Sequence, residues 1–370
     1  MKFAVNSTEF QRVLTKLGGV IPSKSTMPIL ENILCELEGG VLTLTATDLA
    51  ISLTLTLKVD GKEDGKIAIP ARRLMDTMRS LPDTNASFLV DTATNKIRIQ
   101  TETGEYQLTG ESAKEYPQII TFKGEQQFVL DVAVLKRIIH RTVFAVSNDE
   151  LRPAMMGVLF QGMERELRAV STDGHRLVRM VVKTAGRALT SSIIIPAKAL
   201  QVVLKSLEEG EATVSVTQTH VKFLFNDSTL VSRLIDETYP NYESVIPGEN
   251  TKILRVKRDD LIGSIRRVAL YASQTTHQVR FQLDKDQLQI SAQDIDFGGE
   301  ARESVPCVYK AEAMEIGFNS QYLADILTHL EEAEVVMKFS TSTRAGIVAP
   351  AEEGDQESVI MLVMPVRLTS

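Results

Sequence analysis

The chain has 370 residues, 43% of them apolar and 24% charged, with a formal net charge of −7. That length suits two or three domains, and the composition excludes disordered and collagen-like classes. An acidic average argues against nucleic acid as a partner unless the positive charge is gathered in one place.

In chain order, the first element is a helical pattern from Phe10, FQRVLTKLGGVI. Next comes VLTLTATDLAISLTLTLKV, whose alternation predicts half-buried antiparallel strands turning at Asp48. PARRLMDTMRSLPD from Pro70 places Leu74, Thr77, Met78 and Leu81 at i, i+3, i+4 and i+7, one face of a helix that starts after proline. SFLVDT and KIRIQT then read as strands. The series repeats. LKRIIHRTVFAV begins at Leu135, LRAVSTDGHRLV turns at Asp173, and PAKALQVVLKSLEEGE begins at Pro196, followed by the strands ATVSVT and VKFLF. It repeats again with LIGSIRRVALYA at Leu261, LQISAQDIDFGG at Asp294 and NSQYLADILTHLEEAE from Asn319.

The offsets agree: 125 and 126 for Phe10, Leu135 and Leu261; 125 and 121 for the aspartates; 126 and 123 for Leu74, Leu200 and Leu323. Three elements in one order at one period define three copies of one unit, with boundaries near 125 and 250. The expected domains are 1–125, 126–250 and 251–370, each with two helices and about eight short strands. The class is α+β, helices on antiparallel sheet.

The helices gather cations. The first of each pair carries Arg12 and Lys16, then Lys136, Arg137 and Arg141, then Arg266 and Arg267. The second carries Arg72, Arg73 and Arg79, then Lys198 and Lys205; the third copy instead has Asp325, Glu331 and Glu332. One such helix alone is an ordinary solvated face. Five of six in a net-acidic chain predict one basic surface that attracts phosphates without reading bases, while the acid lies in loops such as DGKEDG and AEEGDQE.

Catalytic signatures are missing. GKEDGK at 61–66 is one residue too short for a phosphate-binding loop and precedes Ile67. Ser171, Asp173 and His175 sit too close together to form a hydrogen-bonded triad, whose members come from distant segments. Asp173-Gly174 is a turn signal, and the His175-Arg176 pair after it suits holding a partner. Cys35 and Cys307 lie apart in strand-like contexts and read as buried, inert thiols; the five histidines show no metal-ligand spacing, so no metal or cofactor is expected. No apolar run approaches the roughly 18 residues of a membrane helix, and MKFAVNSTEF lacks a secretory apolar stretch, so a cytoplasmic location without a membrane partner is expected.

Several segments then carry a resemblance over the whole chain. They are the opening MKF, MPIL from Met27, Pro70-Ala-Arg-Arg, Thr172-Asp-Gly-His-Arg-Leu177, Tyr239-Pro-Asn-Tyr242, Met314-Glu-Ile-Gly-Phe-Asn319 and Met364-Pro-Val-Arg-Leu368. With the triplicate period, the chain resembles the bacterial beta sliding clamp family, the processivity subunits of the replicative DNA polymerase III. The resemblance implies a head-to-tail homodimer, a ring lined by twelve helices and no catalysis. Twelve helices at roughly 9 Å spacing leave about 25 Å clear, room for a duplex and its water. It implies double-stranded DNA as a sequence-independent partner, with the replicative polymerase, a clamp loader and other proteins docking through a short peptide.

By that resemblance Lys24, Arg72, Arg152, Lys198 and Lys205 face DNA, joining the helix cations Arg73, Arg79, Lys136, Arg137 and Arg141. The peptide pocket would use Met155, Thr172, Gly174, His175, Arg176, Leu177, Pro240, Val245, Asn319, Tyr322, Leu362, Met364, Pro365, Val366 and Arg367. Tyr106 would meet Leu270 and Tyr271 of a second subunit. The sequence also departs from the family pattern. Pro153-Ala154 stands where some members carry an aromatic pair, Ser244 where an arginine can line the pocket, and Thr369-Ser370 extends past the usual end.

Overall fold

A computed structural model describes residues 1–120, 126–184, 189–295 and 297–368. The Thr369-Ser370 extension and the boundary at 125 lie outside the described residues. Among these residues are six helices: α1 Ser7–Leu17, α2 Ala71–Ser80, α3 Val132–Thr142, α4 Ala197–Ser206, α5 Arg258–Ala269 and α6 Ser320–Thr328. Strands surround each pair, and the class is α+β with large antiparallel sheets.

Local chemistry explains the helix starts. Asn6 accepts from the N–H groups of Thr8 and Glu9, Asp131 from Ala133 and Val134, and Asn319 from Gln321 and Tyr322. Each such cap satisfies donors that the first turn leaves open and contributes about 1 kcal/mol. α2 and α4 begin directly after Pro70 and Pro196. The repeated aspartate is a turn-former in all three copies. The Oδ1 of Asp48 accepts from Ala50 and Ile51, that of Asp173 from His175 and Arg176, and that of Asp294 from Phe297.

Internal contacts divide the chain into two compact units, Met1–Lys136 with Lys198–Leu234, and Arg137–Ala197 with Ile235–Ser370. The first holds a five-stranded and an eight-stranded sheet; in the larger, the strand Ser228–Arg233 pairs with Ile51–Lys58. The second holds a thirteen-stranded sheet in which Arg176–Lys183 pairs with Glu357–Val363. The second repeat is shared between the units because its strands complete ladders begun by both neighbouring repeats. That covers edges which would otherwise expose unpaired N–H and C=O groups.

The periodic apolar faces are the buried ones. α1 buries Phe10, Val13, Leu14 and Leu17 and packs on α2 through Leu74 and Met78. Phe88 lies stacked on Phe3 at 4.7 Å and edge-on to Phe10 at 5.5 Å. α5 buries Leu261, Ile262, Ile265 and Val268 and packs on α6 through Leu323, Ile326 and Leu327. Full burial of each large side chain contributes about 1.5–3 kcal/mol.

Three sequence expectations change. DGKEDG is not a loop: Asp60–Glu63 forms an edge strand on Lys2–Asn6. Cys35 is buried, but Cys307 is only partly so, because its strand Gly299–Tyr309 lies partly open to solvent. Its thiol is nonetheless pushed up to about 11 by desolvation and the nearby Asp286 charge, which keeps it protonated. Leu81 lies just beyond α2 in extended conformation, so that helix ends one residue before its apolar spacing implies.

Candidate functional site

Two groups of side chains stand out, a pocket in the second unit and the helix cations. The pocket is built on the turn between the strands Glu166–Thr172 and Arg176–Lys183. Gly174 has φ +92°, the left-handed region where a side chain is strained. The Thr172 hydroxyl donates to the Arg176 carbonyl at 2.7 Å and accepts from the Gly174 N–H. Leu177 sits opposite Leu362, and the Met364 N–H donates to the His175 carbonyl at 2.8 Å. These bonds bring the unique turn of the second repeat and the Met-Pro-Val-Arg-Leu tail of the third side by side.

The floor is an apolar cluster of Leu159, Val170, Leu177, Ile194, Tyr242, Ala345 and Leu362, with Tyr239 and Ile246 packed against it. The rim is open: His175 and Pro240 are exposed, and Val245 and Met364 are 54% and 40% exposed. His175 stacks on Tyr322 at 5.6 Å. Met155 is buried, its Cε 3.8 Å from where a Gly174 Cβ would lie. An apolar floor with a polar, aromatic rim suits a short peptide with apolar anchors.

Arg176 is not the exposed contact its position after the turn implied. It is buried, and its guanidinium donates to Asp173, Asp325 and the Phe144 carbonyl while lying over the rings of Phe144 and Tyr322. All this holds the turn and Tyr322 in place, so Arg176 positions the pocket. Asn319 is likewise engaged, its Oδ1 capping α6 and its Nδ2 donating to the Thr276 carbonyl. Pro365, Val366 and Arg367 line a separate cavity of about 730 Å³ with Glu315, Thr343 and Leu368. Pro365 and Val366 pair with the strand Met314–Asn319. The sequence reading missed Leu159, Val170, Ile194, Tyr242 and Ala345. The apolar run Val158-Leu159-Phe160 and the quoted Tyr239-Pro-Asn-Tyr242 segment carry the signal for Leu159 and Tyr242.

Behind Arg176, the His329 ring stacks on Phe144 at 3.9 Å and lies 4.7 Å from His140. Its Nδ1 meets the Asp325 carbonyl at 2.7 Å, and because a carbonyl only accepts, Nδ1 carries the proton. Desolvation, then the His140 and Arg176 charges, lower its pKa against the opposing pull of Asp325. A lowered histidine pKa means the unfolded chain binds more protons, so stability falls as pH drops through the unfolded value near 6.5 and levels off below the folded one. Melting between pH 7.5 and 5.5 should show this loss, and His329→Gln should flatten that part of the profile. An unchanged profile would remove His329 from the account.

The cations divide into three groups. Lys24, Arg72, Arg73 and Lys205 are exposed with no ion pair among the described residues. A second group is exposed or half-buried but locally engaged. Arg79 pairs with Asp76, Arg152 with Asp149 and Lys198 with Asp48, while Lys136 donates to the Glu208 carbonyl. The Glu208 carboxyl, held below the usual range by its hydrogen bond from Lys16, adds local negative charge. The third group corrects the sequence reading. Arg141 is not on an outward face but 6% exposed and paired with Glu332, and Arg137 is held by both oxygens of Glu357. The acid just after the sixth helix and in the AEEGDQE loop is therefore not remote from the helix cations. Asp325, Glu332 and Glu357 are the partners of second-repeat arginines.

Among the described residues, two incompletely paired strands bear on assembly. Glu105–Thr109 ends the five-stranded sheet, with Tyr106 on it 37% exposed. In the third repeat, Gly299–Tyr309 pairs along one side with Gln287–Asp294 and along the other only at Cys307–Tyr309. Tyr271 lies 3.5 Å from where a Gly299 Cβ would be, and Leu270, Ile295 and Phe297 are 82%, 77% and 86% exposed.

Three family models match the chain in succession. They are the DNA polymerase III beta subunit N-terminal domain over residues 1–120, its central domain over 129–241 and its C-terminal domain over 243–367. The beta sliding clamp of Escherichia coli (strain K12) is 30% identical over 372 residues, and that of Vibrio cholerae 29% over 371, each comparison covering all of both chains. A DnaN sliding clamp from Bartonella birtlesii bound to griselimycin has a TM-score of 0.93 at 29% identity, and a Pseudomonas aeruginosa sliding clamp with ligand 0.91 at 30%, both over the full length of each chain.

Proposed function

The chain belongs to the bacterial DNA polymerase III beta subunit family, the beta sliding clamps, and from that membership we propose that two copies close head to tail into a ring around duplex DNA. It is a DNA sliding clamp, a non-catalytic processivity factor. The two incompletely paired strands carry the ring reading. An edge bearing Tyr106 at one end of the repeat series meets, on a second copy, the edge beside Leu270 and Tyr271. A heterologous contact of this kind closes into a ring or grows into a fibre, and closure at two subunits covers both of these edges. In this reading the domains are 1–125, 126–250 and 251–370.

DNA runs through the ring against Lys24, Arg72, Arg73 and Lys205, with Arg79, Lys136, Arg152 and Lys198 exchanging their local partners for phosphate. Retention is topological, so weak, sequence-blind contact is enough and sliding stays fast. The replicative polymerase, a clamp loader and other proteins dock a short peptide over the Leu177–Leu362 floor, against His175 and Tyr322. The protein works in the cytoplasm.

The test is a quadruple Gln variant at Lys24, Arg72, Arg73 and Lys205. Its affinity for a short random duplex should depend less on salt, with a slope shallower by about 3.6 per subunit, while partner-peptide affinity stays unchanged. An unchanged slope would favour an adaptor that binds proteins and never encircles DNA.

A further inference from the structure

Helix α3 carries Lys136, Arg137 and Arg141, yet in the second unit its arginines face carboxylates. Arg137 Nε donates to one oxygen of Glu357 at 3.0 Å and Nη2 to the other at 2.5 Å. This is the two-pronged geometry with which a guanidinium also grips phosphate. Glu357 is not free to swing away. It begins the strand Glu357–Val363, is in register with Val182 of the neighbouring strand, and its side chain is only 17% exposed. Arg137 remains 36% exposed, within reach of an outside anion. A cavity of about 430 Å³ beside the pair is lined by Arg141 and Glu332 and by the loop bearing Glu352, Glu353 and Asp355. The surroundings of Arg137 therefore repel phosphate while its donors are already in use.

We propose that Glu357 is a built-in counter-ion that withholds Arg137 from DNA and so limits the grip of α3 on the duplex. The proposal rests on the DNA-facing role of the helix cations. Each phosphate contact makes binding steeper in salt by about 0.9 logarithmic units and slows sliding. A ring held by topology needs few such contacts, and a carboxylate fixed in a strand removes one without altering the helix.

The probe is a fluorescent random 30-base-pair duplex, titrated with the full chain between about 50 and 200 mM salt. Glu357→Gln should steepen the slope by about 0.9 per subunit, so that the affinity lost across this range grows about threefold. Glu357→Ala, which removes the amide as well, should shift it in the same direction. Arg137→Gln should change nothing in the parent protein but restore the parental slope in the Glu357→Gln background. If Glu357→Gln and Glu357→Ala leave the slope unmoved, or if Arg137→Gln alone makes it shallower, Arg137 is not withheld and the proposal fails. If the quadruple variant at Lys24, Arg72, Arg73 and Lys205 also leaves the slope unmoved, the DNA-surface reading itself fails, and this one with it.

Discussion

Once loaded, the protein should stay on a nicked circular duplex at salt concentrations that strip it from linear duplex of the same sequence, and linearising the circle should release it. The size of the effect follows from the charges. Six to ten phosphate contacts lose about 10³–10⁵ in affinity between 50 and 200 mM salt, so a protein held by charge alone leaves both substrates. A closed ring leaves a circle only when an interface opens, but leaves a linear duplex by sliding off its end. The half-life on the circle should therefore exceed that on the linear form by at least about a hundredfold at 200 mM salt. Gel filtration of loaded complexes before and after cutting measures it. Equal loss from both substrates would exclude topological retention whatever the DNA affinity.

The second large effect concerns closure. Leu270→Lys with Tyr271→Lys should convert the protein from twice the chain mass to the chain mass by light scattering, and abolish retention on circles. Both side chains are exposed in the single chain, 82% and 48%, so its own melting should not move. Lysine is chosen because Leu270 caps the C-terminus of α5, where an acid would itself cost about 0.3–1 kcal/mol against the helix dipole. Loss of a buried tyrosine anchor at an interface costs about 2 kcal/mol or more, and the two lysine charges buried without partners add to the penalty. A dissociation constant raised about a thousandfold or more is therefore expected at each interface. Persistence of the dimer mass would move the interface away from α5.

Both expectations grow out of features legible in the chain. The triplicate period placed all six helices, because amphipathic spacing, asparagine and aspartate caps and helix-starting prolines are local and repeat with the unit. The turn at Asp173-Gly174 was legible for the same reason, since its geometry is set within four residues. The apolar pocket floor was harder to see. Ile194 and Ala345 read as ordinary core positions, and only the ladders around Arg176–Lys183 bring them under Tyr242. Arg176 was misjudged because exposure after a turn is a local expectation, whereas Phe144 and Asp325, which bury it, come from distant segments of the chain.

Charge shows the same limit most sharply. The sequence by itself determined the α+β class, the three repeats, the helix positions and the excess of cations on five helices, all consequences of periodicity and short-range chemistry. Which of those cations are available was decided only by the tertiary structure. Glu332 and Glu357 lie about two hundred residues from Arg141 and Arg137 in sequence, yet the sheet joining the second and third repeats sets them side by side. Coulombic pairing depends on distance in space, and separation along the chain does not report it.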